Sequence, residues 1–317
     1  MIDLFIFLFL LFIFGSNKDA LLEQFNLPGY SEESPLPAEN PLPAATPEKE
    51  HTNVTGELVV TFVDVGQGDC TFIQQGDEAV MIDTGYWMQK EACESVLYEN
   101  QCSEFKLILS HPDADHIGCA DALTNDFFVQ QVLMPDKASD TTVYEIDMRA
   151  FRETSTPYEY VQAGDSMMIG DAKLSFFGPV TIPEDPEDTN NASLMMKLEF
   201  GDTAFIFIGD AELEEEEEAV NWALSNGLDL SCDVFKCGHH GSWNSLYEPL
   251  YEAADADYYI ISCGSDNEYG HPSESVLDYI DRMGGICYLT ETRGDIEGKG
   301  NITVTSDGTS LTWAFEK

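Results

Sequence analysis

The sequence has few basic residues: 14 Lys and Arg stand against 59 Asp and Glu in 317 residues, a formal net charge of −45. The basic residues are scattered singly, so the sequence shows no basic patch of the kind that nucleic-acid-binding proteins use to contact phosphates. A field of this sign repels phosphates at long range and keeps a protein soluble. The charge therefore bears on partners and excludes nothing about the fold.

The sequence also has no C-x-x-C pair among its eight cysteines, which disfavours a structural zinc site built from thiolates. Most of the cysteines lie within apolar runs such as SCDVFKC and YYIISCG, and we expect buried free thiols. An even number permits disulfides in an exported protein, and a loop closed by Cys93 and Cys102 is then the predicted bridge.

The apolar run at residues 4–14 is too short to span a bilayer comfortably, but its length suits the hydrophobic region of a signal peptide. No basic residue precedes it and no cleavage site is obvious, so a buried core strand is the alternative. Residues 28–50 combine six Pro with acidic and small residues and predict an extended tether. We expect an apolar signal or anchor segment at residues 1–18, a Pro-rich acidic linker at 19–55 and a globular domain at 56–317. We expect the protein to be secreted, or anchored at the extracellular face of a bacterial membrane.

From residue 56 onward, short apolar runs alternate with turns, and many of the runs end in polar clusters. This pattern predicts an α/β sandwich whose site lies at the carboxyl ends of strands. The acidic run at residues 214–218 is expected to form the solvated face of a helix. The predicted strands lie in ELVVTFVDVG, CTFIQQ, AVMIDTG, KLILSH, VQQVLMP, DAKLSFFGP, SLMMKLEFG, TAFIFIGD, DVFKCGHHGS, DYYIISCG and ICYLT, and the predicted helices in AELEEEEEAVNWALSNG, LYEPLYEAA and SESVLDYIDRMGG.

The segment SHPDADHIGCAD places His111, Asp113, Asp115 and His116 in the loop that leaves the predicted strand KLILS. Pro112 prevents a helix from starting immediately, so the four side chains should project close together. Imidazole and carboxylate together suit borderline to hard divalent metals. A polar surface turn is the alternative for this segment alone.

Three further strand ends strengthen the metal hypothesis. Asp83 lies at the strand end in MIDTG, Asp210 at the strand end in IFIGD, and His239 and His240 at the strand end in FKCGHH. Four strand ends that each supply Asp or His are what a two-metal site in a sandwich requires.

The order D-T-G, H-x-D-x-D-H, G-D and H-H-G-S resembles the metallo-β-lactamase superfamily of metal-dependent hydrolases. Within it, the sequence is similar to the extracellular domain of ComEC-type DNA-uptake proteins and their stand-alone relatives, over roughly residues 57–315. The resemblance implies an α/β fold, a four-layer αββα sandwich, and a hydrolase domain at residues 56–317. The channel-forming membrane domains of DNA-uptake proteins are not in this sequence, so we do not expect it to translocate DNA alone. The motifs that carry the resemblance are FVDVGQGDC, SHPDADHIGC, NNASLMMKLEFG, FIGDAE, VFKCGHHGSWNS and YGHP.

The resemblance also implies a ligand set for two divalent metal ions. The sequence does not separate the last two histidines, although the position of His239 at the strand end favours it. The implied ligands are His111 and Asp113 for the first metal, Asp115 and His116 for the second, Asp210 between the two, and His239 or His240 as the last imidazole.

Asp113 stands where relatives with three zinc-binding histidines carry the middle one. In place of a later histidine the sequence offers Asn190, Asn191 and Ser193. More oxygen and less nitrogen makes a harder site, so the metals could be Zn²⁺ or Mn²⁺, with Mg²⁺ also possible. This set argues against true β-lactamase activity.

The resemblance assigns Asp115 to orienting the nucleophile or taking its proton. Lys236 and His271 are candidates to hold a phosphate or protonate a leaving group, the alternatives being a surface cation and a structural turn histidine. The turn at residues 66–68 could offer backbone N–H groups to an anion, or be a tight turn only. Further residues expected near the substrate or behind the ligands are Asp64, Asp69 and Asp83.

The expected function is a metal-dependent phosphodiesterase or nuclease, with single-stranded DNA bound weakly because the protein is so acidic. An esterase acting on phosphocholine or other cell-surface phosphodiester polymers is one alternative, since Trp243 and Tyr247 could pack on a choline group. A non-catalytic binding protein on the same fold is another.

Overall fold

The computed structural model describes residues 54–265 and 267–316, which form fifteen strands and seven α-helices. The strands are β1 (Leu58–Phe62), β2 (Thr71–Gln75), β3 (Glu78–Ile82), β4 (Glu104–Ile108), β5 (Phe128–Met134), β6 (Tyr158–Tyr160), β7 (Ser166–Ile169), β8 (Ala172–Gly178), β9 (Met195–Phe200), β10 (Thr203–Phe207), β11 (Val234–Lys236), β12 (Tyr258–Ile261), β13 (Ile286–Leu289), β14 (Ile302–Ser306) and β15 (Leu311–Phe315). The α-helices are α1 (Lys90–Glu99), α2 (Ala114–Ile117), α3 (Ala120–Asp126), α4 (Thr142–Thr154), α5 (Leu213–Asn226), α6 (Glu248–Ala254) and α7 (Glu274–Met283). Short 3₁₀ turns lie at Trp87–Gln89, Asn190–Ala192, His239–Gly241 and Trp243–Ser245.

The strands form two mixed sheets. The first has the order β15-β14-β1-β2-β3-β4-β5-β6, and the second has the order β13-β12-β11-β10-β9-β8-β7. Strands β3 to β6 are parallel in the first sheet, and β10 to β13 are parallel in the second. Helices connect the parallel strands, as parallel pairing requires, whereas neighbours such as β1 and β2 pair in the antiparallel sense.

Three buried hydrophobic clusters separate four layers. One lies between α1–α4 and the first sheet, one between the two sheets, and one between the second sheet and α5–α7. Strand β3 shows how the layers arise: Val80 and Ile82 face the other sheet, whereas Ala79 and Met81 face the helices. Because strands buried on both faces need apolar residues at successive positions, they read as apolar runs in the sequence. The predicted αββα sandwich is confirmed, as are the eleven predicted strands and three predicted helices.

The parallel strands determine where the polar strand ends meet. Asp83 follows β3 and His111 lies shortly after β4 in the first sheet, while Asp210 and His239 follow β10 and β11 in the second. Since the carboxyl ends of parallel strands lie at one edge of a sheet, both sheets bring their polar loops to the same edge of the sandwich.

The predicted signal or anchor segment at residues 1–18 lies outside the described residues, as do residues 19–53 of the predicted linker. Their assignment stays a prediction. Within residues 54–265 and 267–316, no helix has the length and apolar character needed to cross a membrane.

The acidic run at residues 214–218 is only partly solvated, which corrects the prediction of a solvated face. Glu215 and Glu216 are buried near the start of α5. Glu215 accepts a hydrogen bond from the backbone N–H of Val180, and Glu216 accepts one of 2.9 Å from that of Tyr247. These two carboxyl groups satisfy loop N–H groups that burial would otherwise leave unpaired.

The predicted disulfide between Cys93 and Cys102 is wrong, since all eight cysteines are free thiols. Cys93 faces the interior from α1, with its sulfur 3.6 Å from that of Cys70 and 3.1 Å from the carbonyl oxygen of Thr84. The thiol of Cys102 contacts the carbonyl of Glu104 instead. The expectation of buried free thiols is confirmed for seven of the eight, and Cys287 is partly buried.

Candidate metal centre

Asp83 organises the histidine motif from the end of β3. Its backbone has a left-handed φ of 59°, which Asp tolerates better than most residues. Its carboxylate accepts hydrogen bonds from the backbone N–H of Ser110 at 2.7 Å and from the Ser110 hydroxyl at 2.6 Å. It also lies 2.8 Å from Nδ1 of His116. One buried carboxylate thus holds the loop after β4 and one imidazole.

The same contacts determine which nitrogens of His111 and His116 are available. The Ser110 hydroxyl donates to Asp83, so its oxygen can accept a proton from Nδ1 of His111, 3.0 Å away. Nδ1 of His116 donates to Asp83 in the same way. Both rings therefore carry their proton on Nδ1 and leave Nε2 free as a ligand atom.

Three buried atoms converge without a hydrogen-bond partner among the described residues. They are Nε2 of His111, Nε2 of His116 and Oδ1 of Asp210. One ligand-type atom from each residue lies within 4.8 Å of the others, and Nε2 of His116 is 3.3 Å from Oδ1 of Asp210. Buried polar atoms are rarely left unpaired, and this donor set of two imidazoles and a carboxylate fits a divalent cation.

A second group adjoins the first and consists of Asp115, His116 and His240. Nε2 of His240 lies 3.2 Å from Oδ2 of Asp115 and 3.6 Å from Oδ2 of Asp210. The carbonyl of Ser262 is 3.1 Å from Nδ1 of His240, which again places the proton on Nδ1 and frees Nε2. Asp210 faces both groups, so it occupies the position expected of a bridging ligand.

Asp113 and His239 lie at the rim of these groups. Asp113 is more exposed, and its Oδ2 is 3.9 Å from Nε2 of His111. Nε2 of His239 is 3.8 Å from Oδ2 of Asp210, and its side chain is more exposed than that of His240. The preference for His239 rested on its place at the strand end, whereas the observed geometry places His240 deeper and closer to Asp115.

The backbone at His239 and His240 is strained. Both residues have left-handed φ values, 46° and 54°, and Gly241 follows at 79°. A left-handed non-glycine residue costs about 1–3 kcal/mol and persists only where its surroundings hold it. Such strain is concentrated at functional sites, in agreement with a ligand role for this turn.

The electrostatics of the cluster favour a cation. Burial alone would lower the pKa of His116, but Asp210 and Asp83 raise it well above its ordinary value. Burial likewise opposes protonation of His240, yet Asp210, Asp115 and Asp69 raise its pKa to about 10. The carboxylates therefore create a strongly negative potential at the point where the imidazoles converge.

Ser193, Asn190 and Asn191 lie behind the ligands. The hydroxyl of Ser193 accepts a 3.0 Å hydrogen bond from the backbone N–H of Asp210 and so fixes the bridging position. Asn190 donates to Glu212, and the side-chain oxygen of Asn191 accepts from the backbone N–H of Glu212. The two asparagines hold the segment after Asp210, and these contacts suit a supporting role.

Lys236 lies behind the site, whereas the sequence made it a candidate to hold a phosphate or protonate a leaving group, with a surface cation as the alternative. Its side chain is buried, and its ammonium group donates to Asp69 at 2.8 Å and to the carbonyl of Cys237 at 3.1 Å. This position does not favour contact with a substrate. Asp64 accepts from the backbone N–H of Gly66, a contact that stabilises the turn at residues 66–68.

His271 is half-buried beside the outer part of the cluster. Its ring centroid lies 5.6 Å from that of His239 and 5.7 Å from that of Tyr269. Burial, helped by His239 and His240, lowers the pKa of His271 to about 4. The ring is thus neutral near pH 7, which disfavours the predicted role of general acid. The alternative of a structural turn histidine agrees with the two hydrogen bonds between the backbone of His271 and the side chain of Asn267.

Sequence reasoning missed several supporting residues. Ser110 links Asp83 to His111, Ser262 orients His240, and Asn244 donates to Glu212 at 2.7 Å. Adjacency to a ligand could have indicated Ser110. No local pattern points to Ser262, because it reaches His240 only through the pairing of β11 and β12.

Comparisons with known proteins agree with this geometry. A family model described as the metallo-beta-lactamase superfamily matches residues 63–265. ComE operon protein 3 of Bacillus subtilis is 32% identical over 265 residues, which cover 77% of this chain and 33% of that protein. Recombination protein 2 of Haemophilus influenzae is 28% identical over 242 residues, which cover 75% of this chain and 28% of that protein. The chain thus spans about a third of the length of these curated relatives.

Among solved structures, the metallo-beta-lactamase fold protein YhfI of Bacillus subtilis matches with a TM-score of 0.53 and 13% identity. The match covers 79% of this chain and 100% of that chain. At this identity the similarity shows the fold alone.

The matched residues 63–265 contain all four strand ends that meet at the site, and the relatives confirm the ComEC-type resemblance. The chain belongs to the metallo-β-lactamase superfamily and carries its metallo-hydrolase fold.

Proposed function

We propose that this domain is a metal-dependent phosphodiesterase that hydrolyses nucleic acid, with single-stranded DNA as the first substrate to test. The observation that supports it is the cluster of His111, His116 and Asp210, whose ligand-type atoms lie within 4.8 Å of one another and which each have a buried atom without a hydrogen-bond partner among the described residues. The name of one relative, Recombination protein 2, favours nucleic acid over other phosphodiesters.

The proposed ligands contain more oxygen than a three-histidine zinc site would. Asp113, Asp115 and Asp210 contribute carboxylates, and His111, His116 and His240 contribute imidazoles. Carboxylate-rich sites suit Mn²⁺ and Mg²⁺, whereas imidazole also suits Zn²⁺. We therefore propose two divalent ions, with Mn²⁺ the first to test.

When bound, two divalent ions would lower the pKa of a water molecule to near neutrality and offset charge that builds on a phosphoryl oxygen. The chain's own contribution is positional. Ser193 holds the backbone of Asp210, and Asp83 holds His116 through Nδ1. The carboxylate of Asp115 is 30% exposed, and we propose that it accepts a proton from an attacking water.

The test is hydrolysis of single-stranded DNA in Mn²⁺ by the wild type and by Asp210→Ala. Asp77→Ala is the matched control, because Asp77 is an exposed aspartate in the turn between β2 and β3. We expect cleavage by the wild type and Asp77→Ala and none by Asp210→Ala. Wild-type cleavage no greater than that of Asp210→Ala would refute the nuclease proposal.

A second candidate is an esterase acting on phosphocholine-bearing polymers, which the exposed ring of Trp243 favours. Trp243 is 66% exposed two residues after the His239–Gly241 turn, where it could contact a choline cation in a strongly acidic protein. Tyr247 is partly buried against the core and is less available. A panel of bis-nitrophenyl phosphate, nitrophenyl phosphocholine and DNA separates the two candidates by their relative kcat/KM.

We also propose that the protein is secreted or anchored outside the cell, on the basis of the apolar run at residues 4–14. The experiment is expression of the full chain with a carboxyl-terminal tag, followed by cell fractionation and protease accessibility. Recovery of the tag only in the protease-protected cytoplasm would contradict the proposal.

A further inference from the structure

A buried ion pair joins the two sheets directly behind the metal centre. Lys236 ends β11 in the second sheet, and Asp69 lies in the loop between β1 and β2 of the first. Nζ of Lys236 is 2.8 Å from Oδ2 of Asp69, and the two side chains are only 4% and 8% exposed. Removing either of two charges this deeply buried is destabilising, because the remaining charge is then buried without an ion-pair partner.

The other oxygen of Asp69 faces the imidazoles. Oδ1 lies 3.6 Å from Nδ1 of His240 and has no hydrogen-bond partner among the described residues. A carboxylate oxygen of Asp69 also lies within 4.8 Å of ligand-type atoms of Asp83 and His116. Asp69 and Asp83 thus form an inner layer of carboxylates against His116 and His240.

The loop that carries Asp69 also contacts a proposed ligand through its backbone. The backbone N–H of Asp69 donates to the carbonyl of Asp115 at 3.1 Å. A Cβ on Gly68, whose φ is 138°, would lie 2.5 Å from the same carbonyl oxygen, so only glycine permits this approach. A shift of Asp69 would therefore move Asp115 as well as His240.

We propose that Asp69 and Lys236 are a positioning pair for the metal centre. The pair holds His240 with Nε2 toward Asp115 and Asp210, and Lys236 keeps the nearby Asp69 carboxylate from entering metal coordination. Partners behind a ligand commonly determine metal affinity in this way. The inference rests on the metal centre of the proposed function, and it assigns Lys236 a place behind the site where we had expected a substrate contact.

A second buried lysine in the same sheet provides a matched control. Lys197 on β9 is 2% exposed, and its ammonium group donates to the carbonyl of Asp229 at 2.8 Å and lies 3.5 Å from Glu199. It occupies the middle of a strand, opposite Ile206 of β10, and makes no ion pair with a proposed ligand. Lys197→Met therefore removes a buried ammonium group without changing the metal centre.

The experiment compares Lys236→Met, the neutral pair Asp69→Asn with Lys236→Gln, and Lys197→Met. Thermal unfolding in excess chelator shows which variants fold, and metal analysis with indicator competition gives the number and affinity of bound Mn²⁺ ions. We expect the Lys236→Met protein and the neutral pair to bind at least one ion about 10- to 100-fold more weakly, and Lys197→Met to match the wild type. Substitution with Co²⁺ should give an altered absorption spectrum in the first two variants alone.

Two outcomes would overturn the inference. One is wild-type affinity for both ions in a folded neutral pair, and the other is a neutral pair that fails to fold, since the pair would then be a fold determinant only. Metal binding is measured without substrate. A wild type that binds two ions but cleaves no diester would therefore contradict the proposed function and leave this inference standing.

Discussion

Nδ1 of His116 lies 2.8 Å from Oδ2 of Asp83, and this contact turns Nε2 of the same ring toward Asp210, 3.3 Å away. Asp83 also accepts two hydrogen bonds from Ser110, so one carboxylate positions the imidazoles of both His116 and His111. The metal centre therefore depends on a residue that need not touch the metal.

The substitution Asp83→Asn keeps a residue that tolerates the left-handed backbone but replaces one acceptor oxygen with a donor. We expect Mn²⁺ affinity to fall about 10- to 100-fold, because His116 loses the partner that orients it. Indicator competition measures the affinity. Asp255→Asn is the control, since Asp255 is exposed, has a left-handed φ of 43° and lies at the end of α6. Unchanged affinity in a folded Asp83→Asn protein would contradict the prediction.

Removal of metal should lower the thermal stability of the wild type. The convergent carboxylates repel one another without a cation, and an ion that binds only the folded state stabilises it by about 2.7 kcal/mol at 100 times its Kd. For a domain of this size that corresponds to a change in Tm of roughly 5–10 °C. Differential scanning calorimetry with Mn²⁺ and with excess chelator gives the difference in Tm. For Asp210→Ala this difference should be small. A wild-type Tm that does not respond to Mn²⁺ would count against the centre.

Stability should decrease as the pH rises from about 5 to 8. Burial raises the pKa of Glu215 and of Glu216 to about 8, with Glu218 and Asp188 adding to the first shift and Glu212 to the second. An unfolded glutamate titrates near 4.3, so between these values the folded chain keeps protons that the unfolded chain has lost. The free energy of unfolding therefore decreases through this window, by about 2 kcal/mol or more for each group, and levels off above pH 8.

Glu216→Gln mimics the protonated side chain and should flatten this pH dependence. Glu217→Gln, an exposed neighbour on α5, should leave it as in the wild type. Urea unfolding of the chelator-treated proteins at several pH values measures both. Equal pH slopes for Glu216→Gln and the wild type would show that Glu216 does not hold a proton in the folded state.

Gly118→Ala should disturb both folding and metal binding. A Cβ at Gly118 would lie 2.4 Å from the backbone N of Trp87 and 2.5 Å from the carbonyl of Ala114, and neither backbone atom can move away cheaply. We expect a loss of about 1–3 kcal/mol and weaker metal binding, because His116 is two residues away. Gly284→Ala separates strain from crowding, since its φ is 81° but no atom lies within 4 Å of the added Cβ. Gly284→Ala should lower the stability and leave metal affinity unchanged. A Gly118→Ala protein with wild-type metal affinity would contradict the expected effect on metal binding.

Much of the fold was accessible from the sequence because strands buried on both faces must be apolar at successive positions. TAFIFIGD and AVMIDTG show this, and each ends in the polar residue that reaches the site. The helices α1 and α4 were not predicted, because many of their residues are polar and exposed. Strands β14 and β15 were missed because neither has a continuous buried apolar run. In β14 buried and partly buried positions alternate, and the residues of β15 are partly buried or exposed.

The sequence by itself determined the residue types of the centre and their order along four strand ends, because these depend on local chemistry. Only the tertiary structure decided how the side chains face. It places His240 deeper than His239, buries Lys236 against Asp69 and turns Glu216 inward. These orientations arise where two sheets meet, with partners as far apart as residues 69 and 236. No local pattern encodes such a pairing, because burial and the choice of partner depend on the packing of the whole sandwich.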